Sequence, residues 1–250
     1  MIGFWIGLIA GSFGALVGLG GGVLMVPMLV GWARLSQHRA HGTSLMAVAG
    51  TAIVGSTSYA LGGHVDYLAA GLLAVTAIAT ARWGARYTQK LEPASLRRIF
   101  GYFLMLTAFL LPFKQQLPHV ADGGAGWLSW IVLLLSGALA GFLSGLLGIG
   151  GGTVMVPALV LGAGLPQQTA QGTALLAMVL PSLTGAYTHW RLGHVDRAIA
   201  PSLLAGIVLG AFLGGQVALG IPEGILRWIF AAVLFWTGLR YVARRPRREA

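Results

Sequence analysis

Apolar residues run along this chain in long blocks with short polar stretches between them. Charge-free windows cover residues 44–61, 68–81, 131–161 and 198–219. Runs of this kind read as membrane-spanning helices. The pattern predicts plain helices over 43–61, 65–81 and 96–112, and again over 173–190, 195–219 and 226–242. Each set is preceded by a longer apolar segment, 2–30 and 127–160, that glycines interrupt. The interruptions read "GLGGGVLMVPMLV" at 18–30 and "GIGGGTVMVPALV" at 148–160.

These correspondences extend along the chain. An offset of 130 residues aligns the two halves without a gap. Gly20-Gly21-Gly22 falls on Gly150-Gly151-Gly152, Met25-Val26-Pro27 on Met155-Val156-Pro157, and Gly42-Thr43 on Gly172-Thr173. "GHVD" at 63–66 repeats at 193–196, and "LRRIF" at 96–100 returns as "LRWIF" at 226–230. Low complexity would not keep Pro, His and Asp in register, so the halves are duplicates. The expected organisation is a first transmembrane repeat over 1–112, a polar Pro- and Gly-bearing linker over 113–126, and a second repeat over 127–250. The second repeat ends in a basic tail, and the two form one integrated transport domain. The N-terminus lacks a basic leader before its apolar run and is expected to belong to the mature fold.

Charge placement separates two architectures. If each glycine-broken segment spans the bilayer, each half has four spans and the halves are parallel. If each is a re-entrant hairpin, each half has three full spans and the halves are inverted. Only the second arrangement gathers the basic stretches 34–41, 82–98, 191–197 and 244–248 on one side, as the positive-inside rule prefers. The expected fold is therefore an all-α integral membrane protein of two inverted-topology repeats. Each repeat has a broken helix, re-entrant or discontinuous, plus three transmembrane helices. The C-terminus is expected to be cytoplasmic.

Three consecutive glycines weaken a helix by about 1 kcal/mol each against alanine. Proline five residues later removes another N–H. Irregular backbone survives in a bilayer only when buried in protein or lining a polar cavity. The second half-helices then start near Val23 and Thr153, with unsatisfied N–H groups and the positive end of a dipole at the break. Two such ends across a pseudo-two-fold axis would make a site for a small anion. The candidate substrate-binding set is Gly20, Gly21, Gly22, Val23, Gly150, Gly151, Gly152 and Thr153. Thr43 and Thr173, expected to open the next helix of each half, join it as caps or donors, with His41, Ser44 and Gln171 beside them. His64, Asp66, His194 and Asp196 read first as helix caps and second as a proton relay. Ser56, Ser58, Tyr59, Thr184, Tyr187 and His189 give one helix of each half a polar stripe.

Composition narrows the function. The 250 residues are 56% hydrophobic and 9% charged, with net charge +10 and no cysteine. The basic residues sit in loops and the tail without interleaved aromatics, so orientation rather than nucleic-acid binding explains them. No HExxH, GxSxG, Cys-based or carboxylate-pair constellation supports an enzyme, a metal or a cofactor. No charged residue lies mid-span, which suits an anion held by backbone and hydroxyl donors rather than a cation pathway.

The motifs "GLGGGVLMVPML", "HGTSL", "GLLGIGGGTVMVPAL" and "QGTALLAM" resemble the TauE/SafE family of sulfite exporters, over nearly the whole chain. The resemblance implies a bacterial cytoplasmic-membrane secondary transporter of sulfite, a sulfonate or a related organosulfur anion, typically moving it outward. It implies substrate contacts at Gly20–Gly22 with Val23, Gly150–Gly152 with Thr153, and Thr43 with Thr173. "QGTAL" stands where the first half has "HGTSL", so an asymmetric site is expected. A carboxylate or halide transporter and a non-transporting membrane scaffold are the alternatives. Expected partners are the anion, the lipid bilayer and protons as a coupling ion. A homo-oligomer is compatible with the sequence, which does not specify one.

Overall fold

The computed structural model describes residues 1–87, 93–116, 127–147 and 151–243. Among them the chain is helical throughout, without strands. The first half contains α1 (Ile2–Val17), α2 (Gly22–Gly31), α3 (Gln37–Leu61), α4 (Tyr67–Tyr87) and α5 (Pro93–Leu110). The second contains α6 (Trp127–Leu147), α7 (Gly152–Pro157), α8 (Gln167–Arg191), α9 (Ala200–Gly220) and α10 (Glu223–Ala243). A 3-10 turn (Leu111–Gln116) follows α5, and a π turn (Ala158–Gly162) follows α7.

The first glycine break has a specific backbone. Gly18, Gly20 and Gly21 adopt φ of 75°, 74° and 79°, where any other residue would be strained. The N–H groups of Leu19 and Gly20 both bond back to the Gly14 carbonyl, at 3.0 and 3.2 Å. α1 thus ends in a tight left-handed knot, and α2 starts immediately beyond it. The second break differs, since Gly151 has φ −75° and remains right-handed. After Pro157 the ladder loosens into the π turn, as expected where proline has removed a donor.

The halves interlock by exchange. α1 packs on α9 of the other half and α6 on α4, while α3 packs on its mate α8 and α5 on its mate α10. Small residues set the distances. A Cβ at Gly206 would meet the Phe4 carbonyl, and one at Gly214 the Ser12 carbonyl, so α1 and α9 run parallel. Gly50 faces Leu204 and Ile207, and Gly62 faces Leu219, so α3 is also parallel to α9. α2, between two parallel helices, carries the chain back, and its Met25 and Leu29 pack with Ile6 and Ala10. In contrast α3 and α8 are antiparallel, with Gly185 over Leu45 and Gly55 over Leu175. α5 and α10 are antiparallel too, pairing Gly101 with Val242 and Gly238 with Met105.

α3 and α8 begin six residues before the threonines expected to open them. The polar stretches after Ser36 and Pro166 read as loop by hydropathy. Their backbone closes helical bonds regardless, with Ala40 N–H to Ser36 O at 2.8 Å and Ala170 N–H to Pro166 O at 2.9 Å. Thr43 and Thr173 consequently lie one to two turns inside their helices.

The surface is that of a protein dissolved in lipid. Leu68, Val75, Trp127, Leu135, Val208 and Trp228 are exposed on the long helices. Among the described residues Arg39–Leu61, Ala200–Gly220 and Glu223–Ala243 are long and apolar enough to cross a membrane. At one end two buried cations, Lys114 and Arg227, share the part-exposed Glu223. Lys114 donates to the Leu165 carbonyl at 2.6 Å and lies 3.8 Å from Glu223, which also accepts from Arg227. Burial pushes the Lys114 ammonium below its usual range, and Glu223 pulls it back up.

Candidate functional site

The two glycine breaks meet. A Cβ on Gly152 would lie 2.6 Å from the Gly18 carbonyl and 3.0 Å from the Leu19 Cα. Gly20 faces Val48 and Met178, which are mates under the 130-residue offset. The first ladder bonds of α2 run from Leu24 and Met25 to the Gly21 carbonyl, and those of α7 from Val154 and Met155 to Gly151. The N–H groups of Gly22, Val23, Gly152 and Thr153 therefore precede their helical ladders.

A cavity of about 340 Å³ reaches this junction from one end of the bundle. Its inner wall holds Gly151, Val48 and Met178, and its outer part His41 and His189. Ser144 of α6 and Ser182 of α8 are the hydroxyls along its depth, with Thr184 and Thr188 further out. The Ser182 hydroxyl donates to the Met178 carbonyl at 2.7 Å, leaving its oxygen as an acceptor only. No Lys, Arg, Asp or Glu stands among the described lining residues.

The expected site residues fall at different places around the cavity. His41 and Gly151 line the cavity. Gly20, Gly21, Gly22 and Val23 form the opposing break and its first turn. Gly152 and Thr153 are packed behind Gly151, with Thr153 1% exposed. Gly150 lies outside the described residues. Ser44 donates to the His41 carbonyl at 2.8 Å.

Thr43 and Thr173 serve a duplicated lock between the halves. The Asp196 N–H donates to the Thr43 hydroxyl oxygen at 3.0 Å, and the Asp66 N–H to that of Thr173 at 2.9 Å. The preceding glycines permit it. A Cβ at Gly42 would meet the His194 carbonyl at 2.6 Å, and one at Gly172 the His64 carbonyl at 2.3 Å. Each Asp then caps the next helix, Asp66 accepting from Ala69 N–H and Asp196 from Ala198 and Ile199 N–H. So "GT" and "GHVD", read separately along the chain, are the two faces of one joint. Thr43→Val should remove the acceptor of a buried N–H and cost about 1–3 kcal/mol, whereas Thr43→Ser should cost far less. Thermal unfolding of the two detergent-solubilised variants checks this.

Pairing between the halves was not legible in either half alone. Tyr59, fully buried, donates to Gln171 Oε1 at 2.8 Å and also approaches the Ala15 carbonyl at 3.1 Å. Gln171 Nε2 is buried without a hydrogen-bond partner. The mates of Tyr59, Gln171 and His64 are His189, His41 and His194. These three imidazoles gather in their turn, with ring centroids 5.8 Å apart for His41–His189 and 5.6 Å for His189–His194. The offset that aligns the glycines would have exposed this pairing of residue types.

Comparison with known proteins finds membrane transporters along the whole chain. The chain is similar to the probable membrane transporter protein YunE of Bacillus subtilis, 28% identical over 95% of each chain. A probable membrane transporter protein of Xylella fastidiosa is 29% identical, covering 98% of this chain and 92% of its own. One from Methanocaldococcus jannaschii is 26% identical over 94% and 92%. No solved structure matches the chain. The family model described as "Sulfite exporter TauE/SafE" matches residues 1–111 and 132–250. A duplicated glycine break, locked across two interleaved halves, thus belongs to a membrane transporter of the TauE/SafE family.

Proposed function

We propose that the protein is a secondary transporter of a small sulfur-containing anion, a sulfite, sulfonate or related organosulfur anion. The anion is exported across the bacterial cytoplasmic membrane. It is bound where the two glycine breaks meet, by backbone N–H groups at Gly151–Thr153 and Gly22–Val23 and by the Ser144 hydroxyl of the cavity wall. The observation that carries the reading is the cavity that ends on Gly151 at this junction. A site without cationic side chains suits an anion that must be released again, since backbone donors bind without a full opposing charge.

Two inverted repeats, residues 1–112 and 127–250 joined by a linker, make up the transport unit. The antiparallel packing of the mates α3 on α8 and α5 on α10 supports this, because helices related by an axis along the membrane normal would run parallel. The return of α2 supports a re-entrant hairpin in the first half. In this arrangement the starts of α3, α5 and α9 and the ends of α4, α8 and α10 share one side. Arg34, Arg39, Arg98, Arg191, Arg197 and Arg240 lie at or near them, which makes that side cytoplasmic and the cavity open inward.

A thermal-stability panel on purified protein tests the substrate. Sulfite, thiosulfate, sulfoacetate and taurine are compared with sulfate, acetate and chloride at fixed pH and ionic strength. A true ligand at 100 times its Kd stabilises the fold by about 2.7 kcal/mol. A shift confined to sulfur anions other than sulfate is the expected result. A shift with acetate or chloride alone would keep the architecture and overturn the sulfur reading.

A further inference from the structure

The pseudo-two-fold axis relates two triads that differ in chemistry. At one gate Tyr59 is bonded to Gln171 and to the Ala15 carbonyl, while the His64 ring beside them pairs with the Thr169 hydroxyl at 3.4 Å. Their mates His189, His41 and His194 stand at the other gate, where the cavity opens. His41 and His189 are the titratable side chains among the described lining residues. All three rings are half-buried. Their positions are fixed by backbone, His194 N–H bonding to the His189 carbonyl at 3.0 Å and the His194 carbonyl resting on Gly42.

We propose that His41, His189 and His194 form a second anion-binding site at the cavity mouth, which recruits the anion only when protonated. The proposal rests on the transporter reading above and assigns the triad a role ahead of the central site. Histidine is the side chain that changes charge between about pH 5 and 8. An otherwise uncharged cavity gains a positive mouth on protonation, and low-dielectric walls strengthen its pull on an anion. The groups facing the triad do not replace it. Asp196 on the turn before α9 is 3.6 Å from Arg39 on α3 and caps α9 with its other oxygen. Arg191 at the end of α8 lies over Tyr187, and Arg197 before α9 lies over Trp190. The described lining residues of α4 and α6 carry no titratable side chain. The opposite gate has Tyr and Gln in place of two of the imidazoles and keeps His64 alone, so it would not gather a cluster of such charges.

Thiosulfate is the probe, because its own charge is constant from about pH 5.5 to about pH 8. Its binding to detergent-purified protein is titrated across that range, with gluconate keeping ionic strength constant. Histidine ring resonances are followed in the same samples. Wild type should bind about tenfold more weakly per pH unit on the alkaline side of the triad's titration. Thiosulfate should also move the ring titrations to higher pH, since an anion favours the protonated form. The double variant His41→Gln/His189→Tyr installs the pair that this fold already accommodates at Gln171 and Tyr59. It should bind at the wild type's alkaline level at every pH. Binding that is independent of pH in wild type, or a pH dependence kept by the double variant, overturns the proposal. Thiosulfate exchange in proteoliposomes separates the two readings. Triad binding without exchange would sink the transporter reading alone, and exchange with pH-independent binding and KM would sink the triad alone.

Discussion

Gly151→Val will leave a folded, membrane-inserted protein that no longer transports. Gly151 has a right-handed φ of −75°, which valine accepts. Its Cβ would approach the Met155 Cε at 3.1 Å and the Ala140 Cβ at 3.5 Å. The methionine end is flexible enough to yield, so the fold tolerates the change. The branched side chain then occupies the inner wall of the cavity and covers the N–H groups behind it. Transport should fall to the level of empty proteoliposomes, with little change in the thermal midpoint. The mate substitution behaves differently. Gly21 has φ +79°, which costs a β-branched residue about 1–2 kcal/mol, and its Cβ would lie 2.4 Å from the Ala10 carbonyl. A backbone oxygen cannot turn aside, so Gly21→Val will separate α2 from α1 and lose the fold together with the activity. Sequence alone makes the two glycines equivalent, and the structure makes only Gly151 a clean probe. Normal exchange by Gly151→Val would remove the glycine junction as the binding site.

The reason for that difference also marks the limit of the sequence. Hydropathy and the 130-residue offset carried the helices, the duplication and the break, because burial in lipid and glycine's backbone freedom are local properties. The register of α1 on α9 was not legible. It depends on which glycines face a carbonyl of a segment some 200 residues away, and Gly206 and Gly71 look alike in sequence. Thr43 and Thr173 read as helix openers because their polar neighbours resemble loop. In the fold they accept N–H groups from Asp196 and Asp66 of the other half. The histidine triad was spread over positions 41, 189 and 194, and only the antiparallel contact of α3 and α8 collects it. Val48, Met178, Ser144 and Ser182, ordinary helix residues by pattern, become lining residues for the same reason.

The largest loss of stability is expected at Gly206. Its Cβ position lies 2.1 Å from the Phe4 carbonyl and 2.8 Å from the Leu8 N, and its neighbours Gly210 and Gly214 meet Leu8 and Ser12 carbonyls at 2.3 and 2.1 Å. The obstruction is helical backbone on both sides. Even Gly206→Ala must therefore move α1 as a body, and the contacts of Gly3, Gly7 and Gly11 are lost with it. Overpacking usually costs 1–3 kcal/mol; a shift that opens a whole interface should exceed about 3 kcal/mol. Gly71→Ala is the control. Gly71 is exposed on α4 with nothing near its Cβ position, so alanine's better helix propensity should raise stability by about 0.5–1 kcal/mol. The mates of Gly206 and Gly210 are Thr76 and Thr80, on the interface of α4 with α6. There a hydroxyl fills the space, Thr80 donating to the Ala138 carbonyl at 2.7 Å. The cavity opens beside that threonine-spaced pair, whereas the glycine-spaced pair is sealed by direct backbone contact. Gly206→Ala should thus lower the thermal midpoint strongly while Gly71→Ala raises it. Equal effects of the two would mean that the close approach of α1 and α9 contributes nothing to holding the halves together.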